Sequence, residues 1–411
     1  MKKINERRFG LIEVIVVILV TAIFSSLATG IIIFSKDGSR YVDFSNNTQV
    51  KEFLEVYASI ITGYYEDVSE EDLVNSAING MFDYLGDDYS SYLNKKETDA
   101  LDEKLNGEYE GIGITIGTGN VIVQVFENSP AEAAGIKAGD VLTLVNGEDI
   151  SNKSTEEISG MIKNSNQKKV LVSVLRGSEK IEVTIELKKI EIPSVTYKVV
   201  NQNNKKVGYM YLDTFGNKTV GQVEAALKAM EKEGVSSLII DVRDNTGGYL
   251  SSAEDIASLF LAKGKVIYYM EDKMGISTTK DTTGTKREYP IVVLVNRSSA
   301  SASEILAGAL RESYGATIVG ETTFGKGKVQ QKLNLDTGGM VKYTSARWLM
   351  PNKECIDGIG IKPNYEIVPD YSLQPTNIDS ETFKTEWEMY VNYLRGISEE
   401  QYNKAVEILA K

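Results

Sequence analysis

Apolar residues run almost unbroken from Leu11 to Phe34 (LIEVIVVILVTAIFSSLATGIIIF), with a single acid, Glu13, near the start. At about 1.5 Å of rise per residue, a helix of this length can cross a hydrocarbon core of ~30 Å. Lys2, Lys3, Arg7 and Arg8 precede it, so the positive-inside bias places residue 1 in the cytoplasm and everything after about residue 36 outside. The run exceeds a signal-peptide core and no A-x-A site follows it, which favours a retained single-pass anchor at the cell membrane over a cleaved leader. Residues 36–48 are polar and read as a linker. Phe53, Leu54, Val56, Tyr57, Ile60 and Ile61 then recur at helical spacing. A second helix is predicted from Ser69, with Glu70, Glu71 and Asp72 in its first turn and an apolar face through Leu73, Ala77, Ile78, Met81, Phe82 and Leu85.

Near Asn106 the period changes from helical to alternating. GIGITIG, VIVQVF, VLTLVNG, KVLVSVLRG and KIEVTIEL are short strands parted by Gly, Asn and Ser turns, with one helix at Thr155–Lys163 and a short turn at Pro130–Gly135. From Val207 strands and helices alternate: VGYMYL, helix Lys218–Glu233, SSLIIDV, helix Leu250–Phe260, KVIYYM, IVVLV, helix Ala302–Ser313 and TIVG. This rhythm predicts an α/β layer with buried, largely parallel strands. After about residue 375 the chain is helical again, with Phe383, Trp387, Tyr390, Val391 and Leu394 on one stripe. The expected organisation is a multidomain α/β protein. It comprises a tip and anchor (1–35), a linker and helical lead-in (36–105), a small β-rich domain (106–190), an α/β core (191–370) and a helical tail (371–411) that packs on the core or on a second subunit.

Composition narrows the chemistry. The 411 residues are 42% hydrophobic and 25% charged, as in a folded chain. Histidine is absent and Cys355 is the only cysteine. A Ser-His-Asp triad, a Cys-His dyad, zinc sites built on His or paired Cys, and intrachain disulfides are therefore excluded. A formal charge of −13 argues against a nucleic-acid partner.

Three segments carry candidate chemistry. Ser298-Ser299-Ala300-Ser301-Ala302-Ser303-Glu304 follows a buried strand and opens a helix. A serine on such a turn can expose its Oγ while the amides at the helix start face developing negative charge. Any of the four serines could instead cap the helix. Without histidine, the practical base is a lysine made neutral by desolvation, and Lys326 sits between Gly325 and Gly327 among small or apolar residues. In Asp241-Val242-Arg243-Asp244-Asn245-Thr246-Gly247-Gly248, the paired glycines let the backbone approach a substrate and aim N–H groups at an oxyanion.

Together these segments resemble the carboxyl-terminal processing proteases, also called tail-specific proteases, which are serine endopeptidases with a Ser-Lys dyad. The likeness runs collinearly from about Ala77 to Pro363. AINGMFDYLGDDYSSYL (77–93) resembles the family lead-in and SPAEAAGIKAGDVLTLVNG (129–147) its PDZ domain. VGYMYLDTF, LIIDVRDNTGG, IVVLVNRSSASASEILAGAL, GETTFGKGKVQ and GIGIKPN follow in family order. The resemblance implies Ser301, the middle serine of S-A-S-A-S, as nucleophile and Lys326 as base, with Gln330 orienting the lysine amine. It implies the N–H of Ala302 and of Gly247 as oxyanion donors, with Gly248 as the alternative. It also implies that Gly111-Ile112-Gly113-Ile114 grips a substrate's terminal carboxylate as the peptide adds a strand, while Ile158, Met161 and Ile162 accept the last side chain. No metal or cofactor is implied. The expected partners are protein or peptide substrates with accessible C-termini, and the amphipathic helices suggest a homodimer.

The chain departs from the family pattern in places. Thr246 stands where Asn-Pro commonly precedes the glycines, and Lys163 stands where the family often has Arg. Glu312 occupies the position of an assisting acid in one family branch and is assigned no role. Two other functions compete. One is a catalytically inert, membrane-tethered PDZ adaptor. The other is a nucleotide binder, because Gly320–Lys326 fits a P-loop up to its lysine. Gly327 then replaces the Ser or Thr a P-loop requires, and KVQQKLNL alternates like a strand.

Overall fold

The computed structural model describes residues 47–165, 168–203, 205–376 and 383–410. The predicted anchor, Leu11–Phe34, lies outside the described residues, among which no helix is long and apolar enough to cross a membrane. Among the described residues the chain divides into two compact units, one ending at Gly80 and the other beginning at Met81. The first unit contains helix α1 (Thr48–Gly63), begun by the Asn47 side chain accepting from the amides of Gln49 and Val50. The division falls inside α2 (Glu70–Leu85), where the Ser69 hydroxyl accepts from the Asp72 N–H. Both helices are amphipathic and neither fully buries a side chain.

The second unit opens with β1 (Ser91–Leu93) and α3 (Lys95–Asn106). A reciprocal Asn94–Glu97 capping box starts α3, and Gly107, in the left-handed region at φ 67°, ends it. The β-rich domain follows with β2 (Glu108–Gly111), β3 (Ile114–Ile116), β4 (Ile122–Val125), α4 (Pro130–Ala133), β5 (Val141–Val145) and β6 (Glu148–Asp149). It continues with α5 (Thr155–Lys163), β7 (Lys169–Arg176), β8 (Glu179–Glu186) and β9 (Lys188–Glu191). The strands form an antiparallel sheet in the order β6-β5-β7-β8 and two pairs, β2–β9 and β3–β4. Alternate residues of β7 (Val170, Val172 and Val174) point into a core that they share with Ile158 of α5.

The remainder is built from β10 (Val195–Gln202), β11 (Lys205–Leu212), α6 (Thr219–Lys232), β12 (Ser237–Asp241), α7 (Leu250–Ser258), β13 (Val266–Asp272) and β14 (Gly275–Lys280). Then come β15 (Ile291–Val295), α8 (Ala302–Ala309), β16 (Thr317–Gly320), β17 (Lys328–Asn334), β18 (Met340–Leu349), β19 (Tyr365–Glu366) and α9 (Phe383–Ala410). The main sheet runs β10-β11-β12-β15-β16-β19, parallel throughout except for β10–β11. Both faces are covered. Val293 and Val295 of β15 pack with Ile305 and Leu306 of α8, whereas Val292 and Leu294 meet Ala405, Val406 and Leu409 of α9. This two-sided burial is why IVVLV, and the Leu238-Ile239-Ile240 centre of SSLIID, read as unbroken apolar runs.

Three sequence expectations need correction. KVIYYM does not join the parallel layer. As β13 it pairs antiparallel with β14 and β18 in a second sheet that also holds β1 and β17. A hydrophobic run reports burial and not the strand it pairs with. The helix predicted to reach Ser313 ends at Ala309, and Leu310–Tyr314 forms a wider π-helical turn. In the tail, the residues that meet the main sheet are Ala405, Val406 and Leu409, at the far end from the predicted stripe.

Candidate active site

The serine phrase lies between β15 and α8, where backbone strain, burial and hydrogen bonding distinguish the four hydroxyls. Ser299 and Ser303 are fully buried, and they donate to the carbonyls of Val242 (2.7 Å) and Asn245 (2.8 Å). Both therefore fasten the phrase to the loop after β12. Ser298 lines a separate cavity with Arg297 and Tyr371. Ser301 alone of the four lines a cavity of about 580 Å³, and its backbone sits at φ 55°, ψ −114°. A non-glycine residue held there is strained, as at a strand-to-helix elbow that thrusts one side chain into a site.

Lys326, Gln330, Gly247 and Gly248 line the same cavity. The lysine amine lies 4.9 Å from the centroid of the Tyr89 ring. Burial lowers its pKa, helped by the positive charge of Lys342 and opposed by Glu304 and Asp87. Among the described residues, no hydrogen bond joins this amine to the Ser301 hydroxyl. The Gln330 amide N–H donates to Thr344 Oγ1 at 3.3 Å, and among the described residues its carbonyl accepts no hydrogen bond from the lysine. Thr344 in turn donates to Asp87 (2.6 Å).

Of the expected oxyanion donors, the Gly247 N–H is already engaged by Asn245 Oδ1 at 2.9 Å. The amides of Ala302 and Gly248 have no acceptor among the described residues. Gly247 is required by close approach. With φ at 104°, a Cβ there would lie 2.9 Å from both Ser301 Cβ and the Ala300 carbonyl.

A residue at the site to which composition and motif reading gave no role is Glu304. Its carboxylate is fully buried and accepts four hydrogen bonds. Oε2 takes the backbone N–H of Ser301 (2.8 Å) and of Lys326 (2.9 Å), and Oε1 takes the Gly325 N–H (2.7 Å) and the Thr323 hydroxyl (2.5 Å). One side chain thus ties the serine turn to the lysine loop. Burial holds its carboxyl above the usual range, and the four donors offset only part of that rise. The GIGIKPN phrase supports the same loop, with Gly358 N–H donating to the Gly325 carbonyl and Ile361 N–H to Thr323 Oγ1. After Lys326 the chain enters strand β17, so no helix N-terminus is present to hold a nucleotide phosphate. Glu312 pairs with Arg311 and does not line the cavity.

In the β-rich domain, Gly111, Ile112 and Ile114 line a groove of about 340 Å³ with Thr155, Ser159, Ile162 and Lys163 of α5. Ile158 and Met161 pack on the domain core instead, since the groove face of α5 follows the helical spacing through 155, 159, 162 and 163. Gly113, at φ 84°, lies where a Cβ would strike Ser129 at 2.3 Å. The Tyr109 ring lies against Gly111, where an added Cβ would strike it at 2.3 Å. Lys163 forms an ion pair with Glu103 of α3.

Family comparison agrees with this architecture. Residues 206–367 match the model of peptidase family S41, residues 121–176 a PDZ domain, and residues 35–98 the activating protease CtpB N-terminal domain. A probable CtpA-like serine protease of Staphylococcus aureus is 34% identical over 391 residues, covering 93% of this chain and 77% of that protein. The chain belongs to the S41 carboxyl-terminal processing proteases. A probable CtpA-like serine protease of Staphylococcus saprophyticus is likewise 34% identical, over 89% of this chain and 74% of its own. A solved structure titled photosystem II D1 C-terminal processing protease is 26% identical with a TM-score of 0.46, covering 82% of this chain and 99% of that one. As an S41 member, the protein is a serine peptidase with a PDZ domain.

Proposed function

We propose that the protein is a membrane-anchored, extracytoplasmic endopeptidase that takes substrate C-termini on its PDZ domain and cleaves through Ser301 and Lys326. One observation carries this reading. Ser301 is the serine of the phrase that shares a cavity with a lysine whose ammonium form is disfavoured by burial. In the proposed cycle, neutral Lys326 takes the Ser301 proton as Oγ attacks the scissile carbonyl. The Ala302 and Gly248 amides hold the oxyanion. The Lys326 ammonium then protonates the departing amine as the C–N bond breaks, and water hydrolyses the acyl-enzyme. Docking of the substrate's terminal carboxylate falls to the Gly111–Ile114 loop. The anchor rests on the apolar run Leu11–Phe34 behind its basic flank.

The position of the Lys326 amine over Tyr89 supports a resting arrangement, from which the side chain must turn toward Ser301 before catalysis. The inert-adaptor reading draws on the same observation. Degradation of an unstructured, apolar-tailed peptide separates the two. Ser301→Ala and Lys326→Ala each abolish turnover while sparing peptide binding if the dyad is active. Equal degradation by wild type and both variants would refute the mechanism.

A further inference from the structure

The cavity at Ser301 is a basic island in an acidic chain. Lys104, Lys326, Lys328, Lys332 and Lys342 line it, against one acid, Glu254, whose carboxylate takes the Tyr268 hydroxyl. Lys328 is neutralised by Asp87 at 3.1 Å. Burial pushes the Asp87 carboxyl up, but hydrogen bonds from Ser90, Thr344 and Lys328 outweigh this and hold it at about 2. Lys332 and Lys342 differ from Lys328. They stand directly opposite each other in the β17–β18 ladder, an arrangement that like charges make unfavourable. Neither forms an ion pair among the described residues. Lys332 lies 4.9 Å from the centroid of the Tyr249 ring, and the acid that acts on it through space is Asp102 of α3.

The strand bearing this pair is itself open. Among the described residues β17 pairs only with β18, leaving its other edge free to accept an extended chain. Lys328, Gln330 and Lys332 alternate onto one face, so the lysine pair lies two residues, about 7 Å, beyond Gln330 along the strand. An extended substrate repeats its side chains at the same interval.

Building on the proposed endopeptidase reading, we propose that Lys332 and Lys342 form a carboxylate-recognition pair that selects an acidic side chain within a few residues of the scissile bond. The unfavourable cross-strand pairing is relieved when a substrate carboxylate lies between the two amines. A carboxylate could also arrive as the end of a chain, so the test separates the two sources.

The experiment uses the full chain and peptides with amidated C-termini, identical except for Glu or Gln at each position on either side of the cleaved bond. Wild type should prefer Glu by about tenfold in kcat/KM at one position, with the preference shrinking as salt rises. In Lys332→Gln/Lys342→Gln the ratio should fall to about one, with turnover of the Gln peptide reporting a folded enzyme. Should the double variant misfold, exposed Lys332→Gln alone should reduce the ratio severalfold. Binding of the same peptides to Ser301→Ala by fluorescence anisotropy reads recognition without turnover, so a Glu preference there upholds the pair even if catalysis by the dyad is refuted. Equal binding and turnover of Glu and Gln peptides at every position would overturn the proposal. So would a preference confined to peptides with a free terminal carboxylate.

Discussion

Replacing Glu304 by glutamine tests whether one buried side chain holds the two halves of the site together. The carboxylate offers only acceptors, and four donors converge on it. A carboxamide keeps one oxygen and turns an N–H₂ group toward two of those donors. Two hydrogen bonds to a charged group are lost, at roughly 1.5–3 kcal/mol each, so the expected destabilisation is about 3–6 kcal/mol. At roughly 2–4 °C per kcal/mol, the melting temperature of the unit should fall by about 10 °C. Catalysis should suffer separately. The Ser301 and Lys326 amides share Oε2, and releasing either lets serine and lysine drift by an appreciable fraction of an ångström. That drift should lower kcat on the order of a hundredfold with little change in KM. Glu304→Asp keeps the charge but loses the reach, so it should be impaired to a similar degree. Peptide turnover at a temperature where the variants remain folded, alongside thermal melts, provides the measurement. A Glu304→Gln enzyme with kcat within twofold of wild type and an unchanged melt would refute the reasoning. Full activity in Glu304→Asp beside loss in Glu304→Gln would show that charge, and not span, is what matters.

Two further outcomes follow from the electrostatics. Lys326 must be neutral to act, so activity should rise as pH climbs through its lowered pKa. Lys342 favours the neutral form, and Lys342→Gln should move the rising limb of the kcat–pH profile to higher pH, whereas an unmoved limb would remove Lys342 from that role.

The order of elements and the candidate chemistry were legible because they depend on local pattern. β15 announces a doubly covered sheet by being apolar at every position and β12 by its central Leu238-Ile239-Ile240, and the missing histidines alone direct attention to a lysine base. The helix at Thr155–Lys163 was legible in the sequence, and the structure shows a Ser154–Glu157 capping box at its start. The assignment of KVIYYM to the wrong sheet and of Ile158 to the groove share one cause. Hydrophobicity reports that a side chain is buried, but not which of two nearby surfaces buries it.

What the sequence determined by itself was the inventory: strands, helices, four serines on one turn, a glycine-flanked lysine, and the family they resemble. Tertiary structure decided which members of that inventory meet. It engaged Ser299 and Ser303 in holding a loop, left Ser301 facing a cavity, took the Gly247 amide out of play and brought Glu304 beneath both loops. It also set Lys332 against Lys342 through a strand register. Each of these depends on contacts between segments far apart in the chain, and a hydrogen bond or a charge pair acquires its meaning only when both partners are in place.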